Sequence, residues 1–280
     1  MRSAVILGCG RMGREHALAY RELGVPITHV FDIDSAQAEK FAREFGGTAG
    51  DLQGVGATRD PERIASICSW DDAHGAQIAW ALIRAGTVIA EKPLCLTFRE
   101  LEMIARLADG GLTCNLPLCR AIAPTREPYH IEADYIWGRA DRMSGWRKDC
   151  PGYSFVLGGG VHAADIICHY GRPSSVAAVA SDPSGFGAPT VISASGRFDD
   201  GRTFRMDVNC ANIGEHCVRV VEWLSRGRRE LRLDGSDKRA MVKDAVENGN
   251  AYPAFEAHAL CFAIERSLKS RQVERVIYPP

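Results

Sequence analysis

Gly8-Cys9-Gly10-Arg11-Met12-Gly13 sets three glycines in the G-x-G-x-x-G register, after the apolar run at residues 4–7 and at the start of a helical pattern. In that setting Gly8 permits a tight turn and Gly10 lets backbone approach a pyrophosphate. Gly13 lets the helix pack on the strand, while Arg11 and Met12 lie at a helix N-terminus, where free N–H groups attract anions. Asp32 ends the second apolar run at residues 27–32, some twenty residues on, where a carboxylate accepts adenosine ribose hydroxyls. Its charge, with Asp34 nearby, would repel a 2′-phosphate, which favours NAD over NADP. Asp34 also suits the cap of a helix beginning at Ser35.

A second cluster of polar residues lies at His162, Asp165 and His169, on one face of a predicted helix. A metal site there would want a further ligand, so no metal is expected. Aromatic and basic residues precede that helix: Trp146, Arg147 and Tyr153, with Asn115 and Arg120 further upstream. Such a set suits a sugar ring bearing an anionic group, because ring faces stack on C–H surfaces and guanidinium forks onto oxyanions. Tyr135 and Trp137 read equally as core residues of a strand.

The elements that would position these residues divide in two. Residues 4–7, 27–32, 64–69, 87–90 and 112–116 read as strands, and residues 12–23, 35–45, 74–85 and 98–109 as helices between them. That alternation implies a parallel sheet. After Pro117 the pattern turns to β runs at 130–137, 175–180, 191–198, 203–209, 218–224 and 229–233, broken by turns such as Asp199-Asp200-Gly201. Helices are expected only at 161–170 and 254–270, and a last strand-like run at 273–278. The fold class is therefore α/β, a Rossmann domain (1–118) followed by an α+β domain (119–280) on a large, mostly antiparallel sheet.

Composition narrows the partners. The 280 residues are 46% hydrophobic and 25% charged with a net charge of −1, which gives no basic excess for nucleic acid or a membrane surface. No apolar run spans a bilayer and no secretory pattern precedes residue 4, so a cytoplasmic protein is expected. Ten cysteines contain no C-x-x-C pair and sit in apolar company, as reduced thiols do.

Further motifs resemble the Gfo/Idh/MocA family, the glucose-fructose oxidoreductase and inositol dehydrogenase group, over nearly the whole chain. Ser69-Trp70-Asp71-Asp72-Ala73-His74 resembles the family loop that ends in a histidine beside the cofactor. Ala90-Glu91-Lys92-Pro93-Leu94 carries its E-K-P signature, and Gly158-Gly159-Gly160-Val161-His162-Ala163-Ala164-Asp165 its glycine run and G-x-H-x-x-D. The resemblance implies hydride transfer between NAD and a secondary hydroxyl or keto group of a sugar, cyclitol or related metabolite. Lys92 and His162 would be catalytic, His74, Glu91 and Lys92 would border the cofactor, and Asp165 would border the substrate. A homodimer or homotetramer built on the second sheet is expected.

One position departs from the family. Many members carry an aspartate four residues before the histidine, where this sequence has Gly158. Either Tyr153, Asp149 or Asp165 orients His162, or Lys92 and His162 act alone, or the enzyme is impaired. The alternative function is a non-catalytic NAD-binding sensor or assembly protein. A short-chain dehydrogenase mechanism lacks its residues, since no tyrosine is followed by lysine four positions later.

Overall fold

The computed structural model describes residues 1–118, 122, 128–142, 147, 150, 152–234 and 237–280. Ala4, Val5, Ile6 and Leu7 are all buried, as expected of a central strand covered on both faces. This strand, β1 (Ser3–Leu7), pairs in parallel with β2 (Ile27–Phe31) and β4 (Asp60–Ile67). With β3 (Thr48–Ala49), β5 (Ala85–Ala90) and β6 (Leu112–Cys114) it forms a six-stranded sheet of order β3-β2-β1-β4-β5-β6. That is the order of dinucleotide-binding sheets, with its reversal between β1 and β4. The helices α1 (Arg11–Glu22), α2 (Ser35–Phe45), α3 (Asp71–Leu82) and α4 (Phe98–Leu107) connect the strands. Asp34 caps α2 by accepting from the N–H groups of Ala36 and Gln37, and Thr97 with Glu100 forms a capping box on α4.

The second sheet has seven strands in the order β12-β11-β7-β10-β9-β8-β13. They are β7 (His130–Ile136), β8 (Pro173–Ser181), β9 (Val191–Phe198), β10 (Thr203–Asn209), β11 (Cys217–Leu224), β12 (Gly227–Leu233) and β13 (Glu274–Arg275). Side chains alternate: Ile131, Ala133, Phe204, Met206 and Val208 are buried, while Glu132, Arg205 and Asp207 take the other face. The helices α5 (Val161–Tyr170) and α7 (Phe255–Ser270) pack on the buried face.

The segment between them returns to the first sheet. Helix α6 (Ala240–Asn248) adds Val242, Ala245 and Val246 to the core formed by Ala4, Ile6, Tyr20 and Ile89. Tyr252 then pairs beside β6, accepting from the Cys114 N–H at 2.7 Å and donating to the Leu112 carbonyl at 3.0 Å.

Several elements differ from the sequence reading. Helix α3 begins at Asp71, three residues before His74, because Asp71 and Asp72 in its first turn favour the N-terminal dipole. It ends at Leu82, since a Cβ on Gly86 would stand 2.1 Å from the Pro61 carbonyl oxygen and the chain there must run extended beside β4. The second sheet is mostly antiparallel, as expected, with β10 running parallel to β7. Helix α6 and the π-helical turn Val156–Gly160 are additional, and only Glu274–Arg275 of the last strand-like run pairs with β8.

Candidate active site

Four residues mark the carboxyl rim of the first sheet, each continuing the ladder by one backbone bond. The N–H groups of Gly8, Cys68, Glu91 and Asn115 donate to Phe31, Leu7, Ile67 and Ala90 at 2.7–2.8 Å. Ligands of open parallel sheets bind at this rim. A Cβ on Gly8 would meet Cys68 backbone at 2.4 Å, and one on Gly13 would meet the Gly8 carbonyl oxygen at 2.0 Å. These glycines are needed for packing alone. Gly10 differs: nothing lies within 4 Å of its Cβ position, so the space beside it is open. The first intrahelical bond of α1 runs from Arg14 to Gly10, and neither a capping side chain nor an acidic residue covers the exposed end at Arg11 and the partly buried Met12. The cradle fits a pyrophosphate.

Asp32 stands next to this cradle. Its Oδ2 accepts from the Cys9 N–H at 2.7 Å and its Oδ1 from the Asp34 N–H at 3.0 Å. A carboxylate has further lone pairs for ribose hydroxyls. Ile33 is wholly exposed immediately after it.

Lys92 and Pro93, joined by a cis peptide bond, follow Glu91. The Lys92 ammonium donates to the Gly158 carbonyl oxygen at 2.6 Å, which joins the E-K-P loop to the glycine run. His162 lies in the first turn of the helix beyond that run, stacked on Tyr135 with ring centroids 5.4 Å apart. Burial first, and then the charge of Lys92, lower the His162 pKa to about 3, so the imidazole stays neutral. Among the described residues its Nδ1 has no hydrogen-bond partner. A neutral imidazole beside an ammonium can exchange a proton with a substrate hydroxyl while the ammonium holds the oxygen.

The other expected residues divide between this centre and its supports. His74 is fully buried, with Nδ1 2.6 Å from the Pro93 carbonyl oxygen and Nε2 3.1 Å from that of Ser69. It braces the lysine loop through backbone. Glu91 Oε1 lies 3.2 Å from His16 Nε2 and accepts from Asn115 Nδ2 at 2.7 Å. Burial pushes the Glu91 carboxyl up, but the hydrogen bond and charge of His16, then Asn115 and Lys92, outweigh it and hold the group below its ordinary value. Asn115 also donates to the Lys238 carbonyl at 3.2 Å. Asp165 is buried and accepts from Tyr252 at 2.7 Å, beside a cleft of about 520 Å³ lined also by His169, Arg172 and Glu256. The guanidinium of Arg147 lies 5.2 Å over Trp137, and the Tyr153 phenol accepts from it. Tyr135 and Trp137 are core residues, 7% and 8% exposed. Arg120, Trp146 and Asp149 lie outside the described residues.

Three functional neighbours escaped the sequence reading. Asp71 is buried at the start of α3; burial raises its pKa, opposed first by the charge of Lys92, then by His74 and Arg147. The acidic pair before His74 was its only signal. His16 lies on the inner face of α1, with its Nδ1 2.8 Å from Ser66 Oγ. His258 of α7 accepts the Leu94 N–H on Nε2 at 2.9 Å and donates from Nδ1 to the Ala254 carbonyl at 2.8 Å. Neither histidine has a local motif. The nine described cysteines are free thiols, eight of them buried. Among the described residues no helix is long and apolar enough to cross a membrane, and no group of three metal-ligating side chains is assembled.

A Gly-rich turn at the switch point of a 3-2-1-4-5-6 sheet is the architecture of a dinucleotide-binding domain. Residues 2–111 match the model of the Gfo/Idh/MocA oxidoreductase family with an NAD-binding Rossmann fold. No curated protein matches by sequence. Among solved structures, myo-inositol 2-dehydrogenase from Lactobacillus plantarum superposes with a TM-score of 0.81 at 15% identity, over 99% of each chain. The apo scyllo-inositol dehydrogenase from Lactobacillus casei gives 0.78 at 14% identity, over 99% of this chain and 98% of that one. GenD2 from gentamicin A biosynthesis, in complex with NAD, gives 0.80 at 19% identity, over 99% and 97%.

Proposed function

We propose that this protein is an NAD-dependent dehydrogenase acting on a secondary hydroxyl of a cyclitol, sugar or sugar-derived metabolite. The observation that carries the reading is the docking of Lys92 on Gly158, which sets an ammonium on the nucleotide-binding rim within the electrostatic reach of the neutral His162. The inositol dehydrogenases among the structural neighbours support a cyclitol as the first substrate to test.

Gly10 and the free N–H groups of α1 would hold the pyrophosphate, Asp32 the adenosine ribose, and the exposed Ile33 side chain would cover one face of the adenine. Bound nicotinamide supplies a hydride acceptor. The Lys92 ammonium commits one N–H to Gly158 and has others for the substrate oxygen. As the alcohol carbon gives up hydride, its hydroxyl proton passes to His162 and the new carbonyl oxygen remains on Lys92. His162 is neutral across the physiological range, so a ring-nitrogen lone pair is open to that proton, while burial and Lys92 hold it a weak base before cofactor and substrate bind. In the reverse direction the same two groups return the proton and polarise the carbonyl.

Incubation with NAD and a panel of inositols and sugars, followed by absorbance of reduced nicotinamide, tests the reading. Turnover of one member is the expected result. Tight NAD binding with no turnover across the panel would favour the non-catalytic alternative, which draws on the glycine at position 158.

A further inference from the structure

We infer that Tyr153 is a positioning residue for Lys92 and acts through Gly158: its phenol stands where a side chain at position 158 would project, and so fixes the peptide on which the lysine docks. The inference rests on the catalytic reading of Lys92 given above.

A Cβ built on Gly158 would lie 2.6 Å from the phenol oxygen of Tyr153, 2.9 Å from Cζ and 3.1 Å from Cε2. The hydroxyl end of the ring therefore fills the space that a side chain at position 158 would take. The same residue is held at both other groups: its N–H donates to the Ser154 carbonyl at 2.7 Å, and its carbonyl accepts Lys92 Nζ at 2.6 Å. Three consecutive glycines in a π-helical turn have no side chains of their own to hold that geometry, so neighbours must supply it. At Gly159 and Gly160 the neighbours are Tyr135, Val208 and Met206, which belong to the second sheet. At Gly158 the neighbour is Tyr153.

Tyr153 is itself well fixed. Its N–H donates to the Cys150 carbonyl at 3.2 Å, and its ring meets Phe155 edge-on at 5.2 Å. Burial pushes the phenol pKa up, so the oxygen keeps its proton while accepting from Arg147. Arg147 in turn lies over Trp137, a buried residue just beyond β7. The chain of contact thus runs from the second sheet through Trp137, Arg147 and Tyr153 to Gly158 and the lysine. Catalytic groups misplaced by about 1 Å can lose a hundredfold in rate, which is the scale on which such a support matters.

Tyr153→Phe, Gly158→Ala and the double variant test this in three measurements. The first is the rate at which an amine-directed reagent labels Lys92 in cofactor-free protein, read by peptide mass spectrometry against the exposed Lys40. The second and third are NAD titration and single-turnover hydride transfer. Tyr153→Phe should speed Lys92 labelling severalfold and slow hydride transfer by about tenfold to a hundredfold, with NAD affinity changed by less than about twofold. Gly158→Ala should act in the same direction, because its methyl group displaces the phenol. The losses should not add in the double variant, where the missing hydroxyl relieves the shortest contact. Wild-type labelling and hydride transfer in Tyr153→Phe, or additive losses, would overturn the inference. If wild-type protein binds NAD but oxidises no polyol, the hydride-transfer reading fails. The labelling of Lys92 still decides whether Tyr153 positions it.

Discussion

Asp32 Oδ2 accepts the N–H of Cys9 at 2.7 Å, so the carboxylate at the end of β2 also holds the glycine turn after β1. The proposed ribose selection and the loop geometry therefore share one side chain.

Wild-type protein should bind NAD more tightly than NADP. Asp32→Ala should weaken NAD by about tenfold to a hundredfold, the range of a charge-assisted hydrogen bond, and narrow the gap to NADP by removing repulsion of the 2′-phosphate. Titration of both cofactors against both proteins checks this. A wild-type preference for NADP would contradict the role of Asp32.

Glu91 anchors a buried network that also includes His16, Ser66, Tyr20 and Asn115. Glu91→Leu would leave His16 and Asn115 facing an apolar side chain and should cost about 2–5 kcal/mol in urea unfolding. Glu91→Gln keeps an acceptor near Asn115 and should cost less. Equal stability of wild type and Glu91→Leu would show that the network does not support the rim.

Acid should destabilise the fold through its buried histidines. Burial lowers His258 to about 4 from an ordinary 6.5, despite the bond to Ala254. The unfolded chain thus binds a proton that the native chain refuses. The stability this neutral histidine allows is full above pH 6.5 and is lost as pH falls toward 4, at about 1.4 kcal/mol per unit of pKa difference. His162 adds a loss of the same sign. Unfolding free energies measured between pH 7 and pH 4.5 should fall less steeply in His258→Gln than in wild type, and an unchanged slope would remove His258 from the explanation.

What the sequence made legible was local. Helices at Ser35–Phe45 and Val161–Tyr170 and strands at Val191–Phe198 and Thr203–Asn209 carry their own periodicity and turns. The glycine turn between strand and helix was also legible, because strand, glycines and helix are contiguous. Helix α6 was not, because it draws its stability from docking on α1 and β5 after a long excursion through the second sheet. The π-helical turn was hidden by its glycines, which read as a loop. At the site, residue types were visible but their partners were distant: Lys92 and Gly158 are 66 residues apart, His16 and Glu91 75, and Leu94 and His258 164. Hence the sequence shows His74 and Glu91 as residue types only, and not that His74 braces the lysine loop and Glu91 the rim from within.

Lys92→Met bears most directly on the proposed chemistry, because it removes the ammonium while retaining an unbranched apolar stem. The measurement is single-turnover hydride transfer from an accepted polyol, followed by reduced nicotinamide absorbance, with NAD titrated against the same folded variant. The rate should fall by about a thousandfold with NAD affinity within about twofold of wild type, the pattern of a group that acts on the transition state. Hydride transfer near the wild-type rate in folded Lys92→Met would contradict it.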